Sequence, residues 1–157
     1  MVMARLQESV EVNAPASECY DQWMRFEEFP QFMVHVKSVT RQGDRRWHWI
    51  VDGPLGKKLE WDAEMDGNER DRIISWHSVS EPEVGVQGAV LFEELSPGLT
   101  RITSTIQYEP PAGVMGELVG QVFSNPQQMV RQDLDNFKKL MESGITAVGY
   151  NAEQISL

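Results

Sequence analysis

The chain has 157 residues, 41% of them apolar, and carries 24 acidic side chains against 14 Lys and Arg, a net charge of −10. That length makes a single domain that buries roughly two thirds of its unfolded surface. The acidity argues against nucleic acid and anionic membranes as partners, because clustered cations hold both.

In chain order, Leu6, Glu8, Val10 and Val12 alternate with Gln7, Ser9 and Glu11, the two-residue period of a first strand. Asn13-Ala14-Pro15 ends it, and Pro15 suits the start of a helix through about Met24, with Cys19, Tyr20 and Trp23 at helical spacing. A second short helix is predicted from Glu27 to about Met33, carrying Phe29, Phe32 and Met33 behind Phe26. Pro30 should shorten or kink it. Six strands are then expected, at about Val34–Gln42, Arg45–Asp52, Lys57–Gly67, Arg72–Ser78, Val84–Leu95 and Leu99–Tyr108. Gly43-Asp44, the Gly53–Gly56 segment, Gly67-Asn68, Glu81-Pro82 and Ser96-Pro97-Gly98 supply the turns. Connections this short permit antiparallel neighbours only. After Pro110–Gly113 comes a long helical region, in which Met115, Leu118, Val119, Val122 and Phe123 precede the stripe Val130, Leu134, Phe137 and Met141. A break or kink is expected at Ser124-Asn125-Pro126. Residues 1–144 form the predicted domain and 145–157 a weakly periodic tail.

Four of the five tryptophans lie between Trp47 and Trp76 at strand spacing, and the residues between them are polar: Arg46, His48, Glu60, Asp62 and Glu64. One sheet face is therefore aromatic and the other wet. A twisted sheet cannot leave that aromatic face in water, and the C-terminal helix is the only element long enough to cover it. The expected fold is α+β, with a seven-stranded curved antiparallel sheet wrapped around a long C-terminal helix and two short helices after the first strand. The gap between sheet and helix is the candidate ligand site.

Several motifs carry a resemblance over about residues 5–144. They are Val12-Asn13-Ala14-Pro15, Tyr20–Trp23 with Phe26–Met33, Trp49 followed by Gly53–Lys57, Glu60–Glu64, Ile74–Ser78, Tyr108–Gly113, and Asp133-Leu134 with Asn136-Phe137-Lys138. Together they resemble the START-like (SRPBCC, helix-grip) superfamily, within it a bacterial polyketide cyclase/dehydrase-like subgroup. The resemblance implies a helix-grip domain that holds a hydrophobic ligand, or a cyclase that moulds a polyketide and moves protons with a few polar groups.

The residues themselves narrow the chemistry. His35, His48 and His77 show no paired metal-ligand spacing, and the lone cysteine, Cys19, adds none, so no metal and no cofactor are expected. Cys19 reads as an inert buried thiol on the first helix; it forbids an intramolecular disulfide and accords with a cytoplasmic setting. The sequence predicts no leader segment, and no apolar run of ~20 residues occurs in it. No Gly-x-Ser-x-Gly elbow occurs, and Gly53–Lys58 lacks phosphate-loop spacing. Acid–base candidates on the inner face are Tyr108, Ser78 and Ser104, with Arg131 or Asp133 from the helix; Tyr108 is the catalytic candidate.

Trp49, Trp61, Met65, Trp76, Phe92, Tyr108, Phe123 and Met129 are the candidate ligand-binding set; taken singly each reads first as core, and only together do they point to a pocket. The expected guest is a small hydrophobic molecule such as a lipid, an isoprenoid quinone or a polyketide-like aromatic. Two other functions compete with simple binding. One is a polyketide aromatase/cyclase or dehydratase. The other is a stress-related interaction module with an exposed patch at Phe26, Phe29, Phe32 and Met33, residues that otherwise close one end of the pocket; their exposure distinguishes the two. The sequence does not fix the oligomeric state, including whether the chain forms a homo-oligomer.

Overall fold

A computed structural model describes residues 4–52, 58–79, 85–108 and 126–143. Seven strands form one sheet: β1 (Ala4–Val12), β2 (Val36–Arg41), β3 (Arg46–Asp52), β4 (Lys58–Glu69), β5 (Ile73–Val79), β6 (Val86–Ser96) and β7 (Leu99–Tyr108). Their order is β1-β7-β6-β5-β4-β3-β2, and every pair is antiparallel. Consecutive strands from β2 to β7 are thus neighbours, and only β1 joins out of sequence. Its leap to the far edge makes room for α1 (Ala16–Trp23) and a 3-10 turn (Phe26–Gln31).

Alternation decides which face each residue takes. Along β4, Leu59, Trp61, Ala63 and Met65 are buried while Lys58 and Glu60 are exposed. Along β7, Thr100, Ile102 and Ser104 are buried in the same way. The sheet curls as a half-barrel around α2 (Pro126–Glu142), the fold expected from the strand–helix order. Helix α2 begins at Pro126, where the missing amide costs no intrahelical bond. Val130, Leu134 and Phe137 are buried and Met141 half-buried, so the apolar stripe faces the sheet. Polar contacts tie α2 along β1: Gln127 donates to the Gln7 carbonyl (2.9 Å), Lys138 to that of Glu11 (2.7 Å), and Glu142 accepts from the Asn13 amide (2.8 Å).

Two local expectations change. The second helix is a 3-10 turn with Pro30 inside it, since proline cannot donate the bond an α-helix needs there. Gly67-Asn68 is not a turn. Strand β4 continues to Glu69 through an irregularity between Asp66 and Glu69, and Asn68 donates to the Tyr20 hydroxyl at 2.7 Å. The chain reverses at Arg70-Asp71, with the Arg72 amide on the Glu69 carbonyl and Asp71 at φ 62°, a left-handed position that aspartate tolerates. The expected turns at Gly53–Gly56 and Glu81-Pro82, the helical segment with Phe123, the break at Ser124-Asn125 and the tail lie outside the described residues.

Candidate functional site

The interior divides into a filled end and an open end. At the filled end α1 and the 3-10 turn deliver a cluster of rings. Trp23 meets Phe29, Phe92 and Phe137 edge-on at centroid distances of 5.8, 6.3 and 4.9 Å. Phe32 meets Phe137 at 5.2 Å, and Phe26 meets Trp47 at 4.8 Å. Edge-to-face rings interlock and leave little void. Cys19 sits beside this cluster, fully buried, and desolvation pushes its thiol up to about 12, so it is inert as a nucleophile.

The open end is built differently. Trp49 and Trp61 are cross-strand partners of β3 and β4. Their rings lie 8° from parallel at 6.0 Å, and Trp76 of β5 lies 24° from Trp49 at 5.6 Å. These three rings bound a cavity of about 130 Å3 between sheet and α2. A single water needs roughly 10–15 Å3 on the same measure, so the space admits a small organic guest. Leu6, Val36, Val51, Val86, Ile106, Met129 and Val130 supply further apolar wall.

Gly88 on β6 explains how Trp76 reaches its position. A Cβ added there would sit 2.8 Å from Trp76 Cζ2, so only glycine lets the indole lie across the strand.

Few polar groups reach this wall. Ser104 is 7% exposed, and Tyr108 closes the end of β7. His35 lies at the exposed rim. The Trp61 indole N–H is buried without an acceptor among the described residues. Asp133 enters from α2, one residue before the stripe residue Leu134. Burial raises its carboxyl from the ordinary 3.8 to about 7, and no donor or cation among the described residues offsets that. Arg131, its near neighbour on the helix, is turned to Glu8 at 3.8 Å.

Of the sequence candidates, Trp49, Trp61, Trp76, Tyr108 and Met129 meet in the cavity lining. Met65 is buried opposite Trp76 on the paired strand, and Phe92 packs against Tyr20 and Trp23; neither is in the lining. Phe123 lies outside the described residues. Ser78 accepts the Val86 amide at 3.0 Å and is absent from the lining. Phe29 and Met33 line the cavity, whose end they are expected to close, and so do Trp23 and Gly88, which the sequence does not single out for it. A glycine in mid-strand was the available signal for the last, since it marks a close approach. Phe26, Phe29 and Phe32 are 2–4% exposed, so the apolar patch an interaction module would need is not at the surface.

The wet face carries its own order. His48 Nδ1 lies 2.8 Å from Asp62 and Nε2 2.9 Å from Glu60, while His77 Nδ1 is 2.7 Å from Asp66, which also accepts from Ser75. No group of three or more metal-ligating side chains occurs among the described residues.

Comparison with known proteins places the chain. Residues 12–135 match the family model described as polyketide cyclase / dehydrase and lipid transport. The protein belongs to this family. Its fold is the START-like helix grip. A relative from Streptomyces lincolnensis, an uncharacterised 17.2 kDa protein of the melC2-rnhH intergenic region, is 31% identical over 140 residues, covering 89% of this chain and 91% of its own. A crystal structure of a Deinococcus radiodurans protein superposes with a TM-score of 0.73 at 28% identity, covering 90% of this chain and 99% of that one. The Zhui aromatase/cyclase of Streptomyces sp. R1128 shares the fold with a TM-score of 0.68 at 18% identity, covering 96% and 100%. Among the described residues no helix is long and apolar enough to cross a membrane.

Proposed function

We propose that the protein binds a small, flat, largely apolar molecule in the cavity between sheet and α2. The observation that carries this reading is the near-parallel set of ring faces of Trp49, Trp61 and Trp76 along one side of the cavity, against which only Phe29, 57° from Trp49, is tilted among the described rings. Such faces receive a planar guest by stacking, and Met129 adapts to its outline. A polyketide-like aromatic or a quinone ring suits this wall better than a plain acyl chain does. A cytoplasmic setting accords with the single buried thiol.

Native mass spectrometry of protein purified from its host tests the reading. A non-covalent adduct that organic extraction removes is expected. Protein that is always of bare mass, and whose tryptophan emission no aromatic probe perturbs, would overturn it.

A second reading is favoured by one observation: Asp133, whose carboxyl burial raises, lines the same cavity as the Tyr108 and Ser104 hydroxyls. Asp133 would then exchange protons with a poly-β-keto chain and Tyr108 would donate to the enolate. A linear poly-β-keto thioester should yield aromatic product with the native protein, and lose turnover but not binding with Asp133→Asn. Product formation at the uncatalysed rate sinks this version.

A further inference from the structure

Within the binding reading, on which this step rests, we propose that the guest is an aromatic molecule carrying a protonated amine, its ring stacked on the Trp49–Trp61–Trp76 wall and its ammonium paired with Asp133. A carboxylate in an apolar cavity is costly unless a cation or several donors meet it. The three cations of α2 are turned elsewhere: Arg131 to Glu8, Lys138 to Glu142 at 2.7 Å, and Lys139, which is exposed, to solvent. The missing counter-charge is therefore left for a ligand to bring. The walls suit it too, because an ammonium near indole faces gains cation–π attraction, strongest with tryptophan.

One further feature agrees. A net charge of −10 draws cations toward the molecule and repels carboxylates such as free fatty acids. Among the described residues the other titratable side chains of the lining are Tyr108 on β7 and His35 at the rim.

Three probes of one shape separate the possibilities: 2-naphthylmethylammonium, 2-naphthylmethanol and 2-naphthoate, titrated calorimetrically at low salt and pH 8, where Asp133 is ionised. The ammonium should bind at least tenfold more tightly than the alcohol, with naphthoate weakest. In Asp133→Asn, whose isosteric amide removes the charge and exchanges one acceptor oxygen for an NH2 donor, the ammonium should fall to about the level of the alcohol while the alcohol changes little. Equal binding of ammonium and alcohol to the native protein, or an ammonium preference that survives Asp133→Asn, would overturn the assignment and leave the binding reading standing. Failure of all three probes at millimolar concentration would count against both.

Discussion

The two ends of the interior are made from the same residue types and do opposite things. Around Trp23 the rings cross at steep angles, 67° to Phe29, 76° to Phe92 and 60° to Phe137, so each edge fills the face of the next. Around Trp49 the angles to its two tryptophan neighbours drop to 8° and 24°, and only Phe29, at 57°, meets it at a tilt. Interlocked rings consume volume; parallel rings anchored on neighbouring strands expose a face. The backbone sets this difference. Helix α1 and the 3-10 turn bring rings in from outside the sheet, whereas Trp49, Trp61 and Trp76 all rise from adjacent strands whose side chains stand nearly parallel. An aromatic residue therefore becomes wall or filling according to what packs against it: Phe92 of β6 is covered by Tyr20 and Trp23, while Trp23 and Phe29 fill one end and also border the cavity.

Paired truncations test that contrast most severely. Phe137→Ala removes a fully buried ring from the filled end and should cost about 3–5 kcal/mol in denaturant unfolding. Trp61→Ala removes a larger ring from the open end, yet should cost less, because part of its surface already faces a void and its unsatisfied N–H goes with it. Its larger effect should fall on affinity for 2-naphthylmethanol, at least tenfold. Equal stability losses with no change in affinity would mean that both ends are simply core.

Gly88→Ala sharpens the comparison from the backbone side. The new methyl would press on the rigid indole of Trp76 at 2.8 Å, and a ring has no flexible end with which to yield. Overpacking of this kind costs about 1–3 kcal/mol. Trp76 should also turn into the cavity, lowering affinity for flat probes more than for small round ones. Unchanged unfolding and unchanged binding would show that Trp76 is free to move and that the wall is not fixed.

Much of this architecture can be read in the chain itself, and the reasons it stops are physical. The alternation of Leu59, Trp61, Ala63 and Met65 with charged neighbours fixes strand, face and burial together, because a two-residue period admits one solution. Gly67-Asn68 misled, since those residues favour turns by local preference, whereas here cross-strand pairing and the Asn68 bond to Tyr20 carry β4 past them. The site is less legible than the sheet. Phe92 and Trp61 alternate inward alike, and only the arrival of α1 against one end decides that Phe92 is packed while Trp61 faces space. Asp133 could be proposed from its place beside Leu134 on the helix stripe. Its desolvation could not, because that depends on how closely a curled sheet approaches the helix.

The outer face supplies the mildest test, since its charges stand in water where the inner face's do not. The His48 ring lies between Asp62 and Glu60 with both nitrogens at hydrogen-bond distance, an arrangement only the doubly protonated imidazolium satisfies. Bonding first to Asp62 and then to Glu60 holds the imidazole above its ordinary 6.5. The folded state therefore binds this proton more tightly than the unfolded chain does. The stabilisation is fully present below pH 6.5 and disappears as pH rises through the raised folded value. His48→Gln should lower the melting temperature slightly at pH 5.5 and leave it unchanged at pH 8.5. Asp133 complicates the native curve with the same sign: its carboxyl is raised by burial, so the fold loses stability between about pH 4 and 7 as that buried charge forms. Running the His48→Gln comparison in an Asp133→Asn background removes the inner contribution. A His48 effect of equal size at both pH values would show that the ring is held by packing against β4 and not by its charge.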